Sequence, residues 1–251
     1  MKNVLFLALF FLGIQTIYAQ EPTTAKYSYI ITPKKIYLRY KHRRPDSLVI
    51  PEVSGKYPAL KKALSDTNLF NGDTRDSIVN QYKETGSGTI SFYYDVFFVN
   101  KNVISLKLYS EGVGAYLSTS QHWRTLNIQT GKPYPINAEI NEAGLKWIYM
   151  NYMTLLRKRI KEDRAARLTD KTESPEYIIG IYKQLSESVD TISFNGLMST
   201  YIFTDKGVVF TTEGILPHAT QAFEINREWF IPYHKLIAYR LPAALVIKKK
   251  Q

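Results

Sequence analysis

Residues 89–108, TISFYYDVFFVNKNVISLKL, contain the clearest β-hairpin pattern in the chain. Every second residue of the first half is a large apolar side chain, which predicts one buried face of a strand: Ile90, Phe92, Tyr94, Val96 and Phe98. After a polar turn at residues 100–102, the same alternation returns at Ile104, Leu106 and Leu108. The segment therefore predicts two antiparallel strands joined by a short turn.

A glycine-rich stretch follows this hairpin and is predicted to form a loop from Gly112 to Trp123. Further strands are predicted at residues 123–128, 191–194, 201–204 and 208–212. The last two are expected to be joined by a turn at Asp205-Lys206-Gly207. The chain thus returns to strands after its central region.

Two helices separate these groups of strands. Apolar residues at spacings of three and four between Leu145 and Ile160 predict a long helix that covers a sheet. Ser174-Pro175-Glu176 predicts the start of a second helix, because a serine cap precedes proline at the first helical position. Shorter helices are predicted near Pro58 and Asp73. We expect a single-domain α+β fold, with an antiparallel sheet packed against one long and several shorter helices.

The first 20 residues have the composition of a secretory signal peptide. Lys2 is the positive head, residues 4–14 are apolar, and Ala19 precedes Gln20 at a plausible cleavage site. We expect export to the periplasm or the cell exterior, with no integral membrane span after cleavage. The chain has no cysteine, so burial rather than disulfides must stabilise it.

The charge favours acidic partners. The formal net charge of +11 falls to +10 when Lys2 leaves with the signal peptide. Such an excess attracts anionic polymers and acidic proteins, while nucleic acid is not expected outside the cytoplasm. The four histidines share no metal-ligand spacing, so neither a metal nor a cofactor is predicted.

One set of residues offers a possible proton-transfer pair. Asp205 or Glu213 could orient the imidazole of His218, as carboxylates do in general acid–base catalysis. Asp205 is equally explained as a turn residue beside Gly207, and no serine lies in a Gly-x-Ser-x-Gly motif. We therefore assign no catalytic residue, and a cell-wall hydrolase or deacetylase stays an alternative.

The order of these elements resembles the RsiV-like extracellular domain family. The motifs that carry the resemblance are VISL (103–106), GVGA (112–115), LNIQTGK (126–132), YIFTDKGVVF (201–210) and IPYHKL (231–236). It divides the chain into a signal peptide (1–20), an N-terminal strand and loop extension (21–56), the family domain (57–241) and a basic C-terminal tail (242–251).

Members of that family include the ectodomain of a lysozyme-sensing anti-sigma factor and a domain appended to a peptidoglycan deacetylase. The resemblance implies an envelope domain that acts by recognition. The family often has two adjacent glycines followed by Ala-His, whereas here Val113 separates the glycines and Tyr116 replaces the histidine. No role of that histidine transfers to this chain.

We therefore predict an exported, non-enzymatic binding domain for a lysozyme-like envelope protein or an anionic envelope polymer. Tyr116 and Trp123 are the candidate contact residues, because tyrosine and tryptophan supply large contact areas. His122 and Arg124 are the basic residues beside them. An accessory subunit that stabilises an envelope complex and has no small ligand is the remaining alternative.

Overall fold

Eight strands in two sheets make up the framework of the computed structural model, which describes residues 29–41, 45–170, 172–212, 214, 216 and 218–248. The first sheet has the order β1 (Ile31–Leu38), β2 (Asp46–Val53), β3 (Gly88–Val99), β4 (Val103–Val113) and β5 (Leu117–Asn127). The second consists of β6 (Tyr201–Phe203), β7 (Gly207–Phe210) and β8 (Trp229–Pro232). The predicted signal peptide, residues 1–20, lies outside the described residues.

Seven helices accompany the strands in the described ranges: α1 (Pro58–Ala63), α2 (Asp66–Leu69), α3 (Arg75–Thr85), α4 (Glu142–Asp170), α5 (Pro175–Asp190), α6 (Phe194–Ser199) and α7 (Tyr233–Leu236). The predicted start of α5 is confirmed, because the Ser174 hydroxyl accepts a hydrogen bond from the Tyr177 N–H at 3.3 Å. The α+β class with one long helix is likewise confirmed. Within the described ranges, no helix combines the length and apolar character needed to cross a bilayer.

The first sheet is antiparallel except at one junction. β2 and β3 are parallel neighbours, paired at Ser47 with Ser91 and at Leu48 with Phe92. Parallel neighbours need a crossover connection rather than a tight turn. Helices α1, α2 and α3 form that crossover.

The five-stranded sheet separates two hydrophobic cores. The N-terminal core lies between one sheet face and helices α1–α3, and its members include Leu48, Leu60, Ile78, Phe92 and Leu106. The C-terminal core lies on the other face, and its members include Val103, Ile148, Leu156, Phe203 and Phe210. Alternation in β4 assigns adjacent residues to different cores, so Ile104 belongs to the first and Val103 to the second.

A β-bulge corrects the predicted face of Phe98. Val96 pairs with Leu106, but Phe98 pairs with Ser105, so the register shifts by one residue between them. Phe98 therefore turns to the C-terminal core, where its ring centroid lies 6.0 Å from that of Phe203. The prediction that Phe98 shares a face with Phe92 is wrong.

The C-terminal segment is fastened to the C-terminal core by a buried carboxylate. Glu139 is fully buried and accepts hydrogen bonds from the N–H groups of Leu245, Val246 and Ile247. Val246 and Ile247, within the segment predicted as a basic tail, are themselves members of this core. Glu139 thus holds the apolar residues 245–247 against the C-terminal core.

Candidate functional site

The segment predicted as a loop from Gly112 to Trp123 is mostly strand. β4 continues to Val113 and β5 begins at Leu117, so the connecting turn is only residues 114–116. Gly112 pairs with Ser118 in the ladder rather than interrupting it. The loop prediction is wrong because a glycine in a strand keeps both backbone hydrogen-bonding groups.

Tyr116 lies at the tip of this hairpin, with 78% of its surface exposed. Seven residues separate it from Trp123 along an extended strand, which corresponds to about 23 Å. Tyr116 and Trp123 therefore do not line one small pocket.

The other three predicted residues point to opposite faces of β5. Trp123 pairs with Lys107, whose Nζ lies 4.9 Å from the centroid of a Trp123 ring and 2.8 Å from Glu228 Oε1. His122 and Arg124 alternate with Trp123 and project from the other face, where His122 is exposed. Trp123 and Arg124 are thus neighbours along β5, but their side chains lie on opposite faces of the sheet.

Arg124 connects β5 to the helices above the N-terminal core. Its guanidinium donates to the carbonyl of Asn68 at 2.7 Å and to that of Ala63 at 3.4 Å. Burial lowers the pKa of Arg124. Within the described part of the chain, no carboxylate forms an ion pair with Arg124, and its hydrogen-bond acceptors there are these two backbone carbonyls.

A cavity of about 580 Å³ lies at the same edge of β5. Trp123, Arg124, Thr125 and Leu126 contribute to its lining. Ala63 and Asn68 line it from the helices of the N-terminal core, and Phe194, Asn195 and Met198 line it from α6. Two of the four predicted site residues, Trp123 and Arg124, therefore meet in one cavity, while Tyr116 and His122 are outside it.

Amide side chains supply polar groups that the sequence analysis missed. Asn137 and Asn195 line the cavity, are exposed, and form no side-chain hydrogen bond to the described residues. They belong to segments 58 residues apart, so no local spacing connects them. Their amides can each donate and accept hydrogen bonds to a ligand.

The tyrosine hydroxyls of the lining already have partners. Tyr201 donates to the carbonyl of Tyr134, and Tyr134 donates to Glu139 Oε1 at 2.7 Å. Burial is the main cause that raises the pKa of both tyrosines, so both stay protonated at neutral pH. Among the described lining residues, Arg124 is the one ionised side chain.

Of the three residues considered for proton transfer, the structure describes the position of Asp205. Asp205 is in that turn, which is closed by the Thr204 hydroxyl accepting from the Gly207 N–H at 3.0 Å. Glu213 and the side chain of His218 lie outside the described residues, so their pairing with Asp205 stays a prediction. Across the described ranges, acidic, histidine and cysteine side chains form no group of three that could hold a metal ion.

Comparisons with known proteins give a likeness in structure alone. No family model matches the chain, and no curated protein shows significant sequence similarity. Two similar solved structures are a DUF3298 family protein from Pseudomonas aeruginosa PAO1 and a DUF3298 family member from Bacteroides fragilis NCTC 9343. Each is 13% identical to this chain, and each match covers 85% of this chain. The matches cover 94% and 93% of the two solved chains, with TM-scores of 0.48 and 0.42, respectively. Membership of the RsiV-like family stays a prediction.

Proposed function

We propose that this protein is a non-catalytic binding domain whose ligand occupies the cavity beside β5. The observation that carries the proposal is a cavity of about 580 Å³ lined by aromatic, apolar and amide groups around one guanidinium. Ligand sites are typically apolar clefts of roughly 300–1,000 Å³ with a few placed polar groups. Trp123 provides the aromatic surface, and Asn137 and Asn195 provide hydrogen bonds that orient the ligand.

The chemistry of the lining supports recognition rather than proton transfer. A general acid or base must change protonation near the working pH. Arg124 keeps its proton in proteins, and the hydroxyls of Tyr134 and Tyr201 are occupied donors with raised pKa values. These groups suit a site that holds a ligand unchanged.

The proposed setting is the cell envelope, and the proposed partner is a lysozyme-like envelope protein or an anionic envelope polymer. The composition of residues 1–20 supports export, and the formal net charge of +11 supports an acidic partner. The half-buried guanidinium of Arg124 would add a local attraction to an anionic group.

Fluorine NMR of protein labelled with 5-fluorotryptophan tests this proposal, because the chain has three tryptophans. The Trp123→Phe variant assigns the signal from the cavity, while Trp147 and Trp229 pack in the C-terminal core and serve as internal controls. Lysozyme, peptidoglycan fragments and an acidic polysaccharide are titrated in turn. We expect one of them to shift the Trp123 signal in a saturable manner.

Loss of an aromatic contact of this kind weakens binding by about 2 kcal/mol, or roughly 30-fold. Trp123→Ala should show that loss, while His122→Ala, which removes an exposed side chain outside the cavity, should bind as the wild type does. No binding in the whole panel, or saturable binding that leaves the Trp123 signal unmoved, would refute the proposal.

A further inference from the structure

At one edge of the first sheet, alternate residues of β5 direct their backbone N–H and C=O groups away from the neighbouring strand β4. The carbonyl of Thr125 accepts from the Tyr134 N–H at 2.8 Å, and the Asn127 N–H donates to the Lys132 carbonyl at 2.9 Å. Thr125 and Asn127 therefore direct these groups away from β4, and antiparallel pairing repeats that direction every second residue. Trp123, Gln121 and Thr119 follow in the same row, and no hydrogen bond from the described residues reaches their outward N–H and C=O groups.

The protein already adds a short strand of its own to this edge. Pro133 forms an antiparallel bridge with Leu126, flanked by the hydrogen bonds of residues 132 and 134. The chain then turns away at residues 135–137. The edge thus accepts an extended segment beside residues 125–127, and the next stretch towards the hairpin tip is open.

The opposite edge of the sheet is protected, whereas this one is not. β1 carries Pro33, Lys34 and Lys35, residue types that discourage a further strand from pairing. Between Leu117 and Trp123, β5 contains neither proline nor lysine. The sequence SQH at residues 120–122 places small or polar side chains around an accessible row of backbone groups.

We propose that an extended peptide segment of a partner protein adds to this edge as a sixth strand and places a terminal carboxylate in the cavity beside Arg124. This inference rests on the proposed function and names the class of its ligand. The open row ends where the cavity begins, at Trp123 and Arg124. A carboxylate there meets a half-buried guanidinium that pairs with no acid in the described part of the chain.

The direction of the peptide follows from these positions. Its carboxyl end must lie beside Trp123 and its preceding residues beside Gln121 and Thr119. The peptide therefore runs parallel to β5. Its backbone takes up hydrogen-bonding groups that repeat every two residues, a spacing that polypeptide matches and a saccharide does not.

A library of random octapeptides with free carboxyl termini, selected on the immobilised mature protein, supplies the probe. The decisive variant is Gln121→Pro, since the N–H that proline removes faces outward and takes no part in the β4–β5 ladder. Gln121→Ala retains that N–H and is the matched control. The selected peptide should bind Gln121→Pro about tenfold more weakly than Gln121→Ala, with both variants unfolding at the same temperature.

Amidation of the peptide terminus tests the carboxylate without changing the protein. The amidated peptide should bind about tenfold more weakly, because a charged hydrogen-bonded pair becomes a neutral one. Equal binding of the amidated and free peptides overturns the pairing with Arg124. A library that yields no peptide, while an acidic saccharide binds, overturns strand addition.

The variants separate this inference from the proposed function. Binding of the selected peptide that survives Gln121→Pro but is lost in Trp123→Ala overturns strand addition and leaves the cavity as the binding site. Binding that survives both variants refutes both proposals. Loss in both variants, with unchanged unfolding temperatures, supports both.

Discussion

The two carboxylate oxygens of Glu139 both accept a hydrogen bond from the backbone N–H of Val246, at 3.0 and 3.1 Å. The neighbouring N–H groups of Leu245 and Ile247 add bonds of 2.7 and 2.8 Å, and the Tyr134 hydroxyl adds another. Successive N–H groups turned towards one anion compensate its burial. Glu139, just before α4, thereby holds residues 245–247, which follow it by more than 100 positions in the sequence.

Glu139→Gln should lower the free energy of unfolding by about 3 kcal/mol, since an amide N–H group replaces one carboxylate oxygen and leaves buried backbone N–H donors without their acceptor. Urea unfolding at neutral pH measures the change. Glu142→Gln is the control, because Glu142 is exposed and its ion pair in the described structure is with Lys146 of the same helix, so the free energy of unfolding should barely change. Equal losses in the two variants would contradict the role of Glu139.

The Asp66–Arg75 pair should make stability depend on acid pH. Arg75 donates to both oxygens of Asp66 at 2.7 and 2.9 Å, and this hydrogen bonding lowers the pKa of the carboxyl group. The pair's stabilisation is therefore complete above the unfolded aspartate pKa of about 3.9 and is lost as pH falls through the lower folded pKa.

Asp66→Asn should reduce stability by about 1 kcal/mol at pH 7 and should flatten the fall of the urea midpoint between about pH 5 and 2. Glu84→Gln removes an exposed carboxylate that forms no hydrogen bond or ion pair with the described residues, and it should reproduce the wild-type pH profile. A wild-type profile in Asp66→Asn would rule out this linkage.

Tyr94 buries its hydroxyl in the N-terminal core without a hydrogen-bond partner in the described structure. Burial raises the pKa of Tyr94 to about 12, so the folded state favours the neutral phenol. Tyr94→Phe should increase stability by about 1 kcal/mol at pH 7, because an unsatisfied buried group is removed.

The same variant should unfold less readily in alkali. The wild type loses stability as pH rises from about 10 towards the folded pKa, whereas phenylalanine has no proton to release. Thermal melts between pH 8 and 11 measure the difference. A destabilised Tyr94→Phe would mean that the hydroxyl has a favourable contact.

Gly131 is predicted to be the glycine least tolerant of a side chain near the cavity. Its φ is 66°, and a Cβ there would overlap the carbonyl oxygen of Ala59. Gly131→Ala should cost about 2 kcal/mol or more and should weaken ligand binding, since Gly131 lines the cavity. Gly114→Ala, with no atom within 4 Å of the added carbon, should leave the unfolding midpoint unchanged.

Local pattern was sufficient to predict the elements whose signals lie within one segment. The repeat between Leu145 and Ile160 predicted α4, and Ser174-Pro175 predicted the start of α5. The predicted strand at residues 191–194 is wrong, because the Ser193 hydroxyl accepts from the Gly196 N–H at 3.0 Å and caps α6 instead. A short apolar run alone does not distinguish a strand from the start of a helix; the capping residue does.

The candidate site depended on contacts between distant segments. Strand alternation alone separates Trp123 from His122 and Arg124, so that part was available from sequence. The meeting of β5 with α6 and the 133–137 segment was not, because their packing is set by the C-terminal core. The bulge that redirects Phe98 likewise exists only in the pairing of β3 with β4.

The six consecutive buried residues of β4, from Val103 to Leu108, are divided between the two sides of the sheet. Deleting or inserting one codon in this strand would exchange the sides, presenting Ser105 and Lys107 to the apolar helices and Leu106 and Leu108 to the polar partners. The hairpin tip at residues 114–116 carries no such constraint. An insertion or deletion of one residue at the hairpin tip is therefore compatible with folding. The same change about eight residues earlier, within β4, is not.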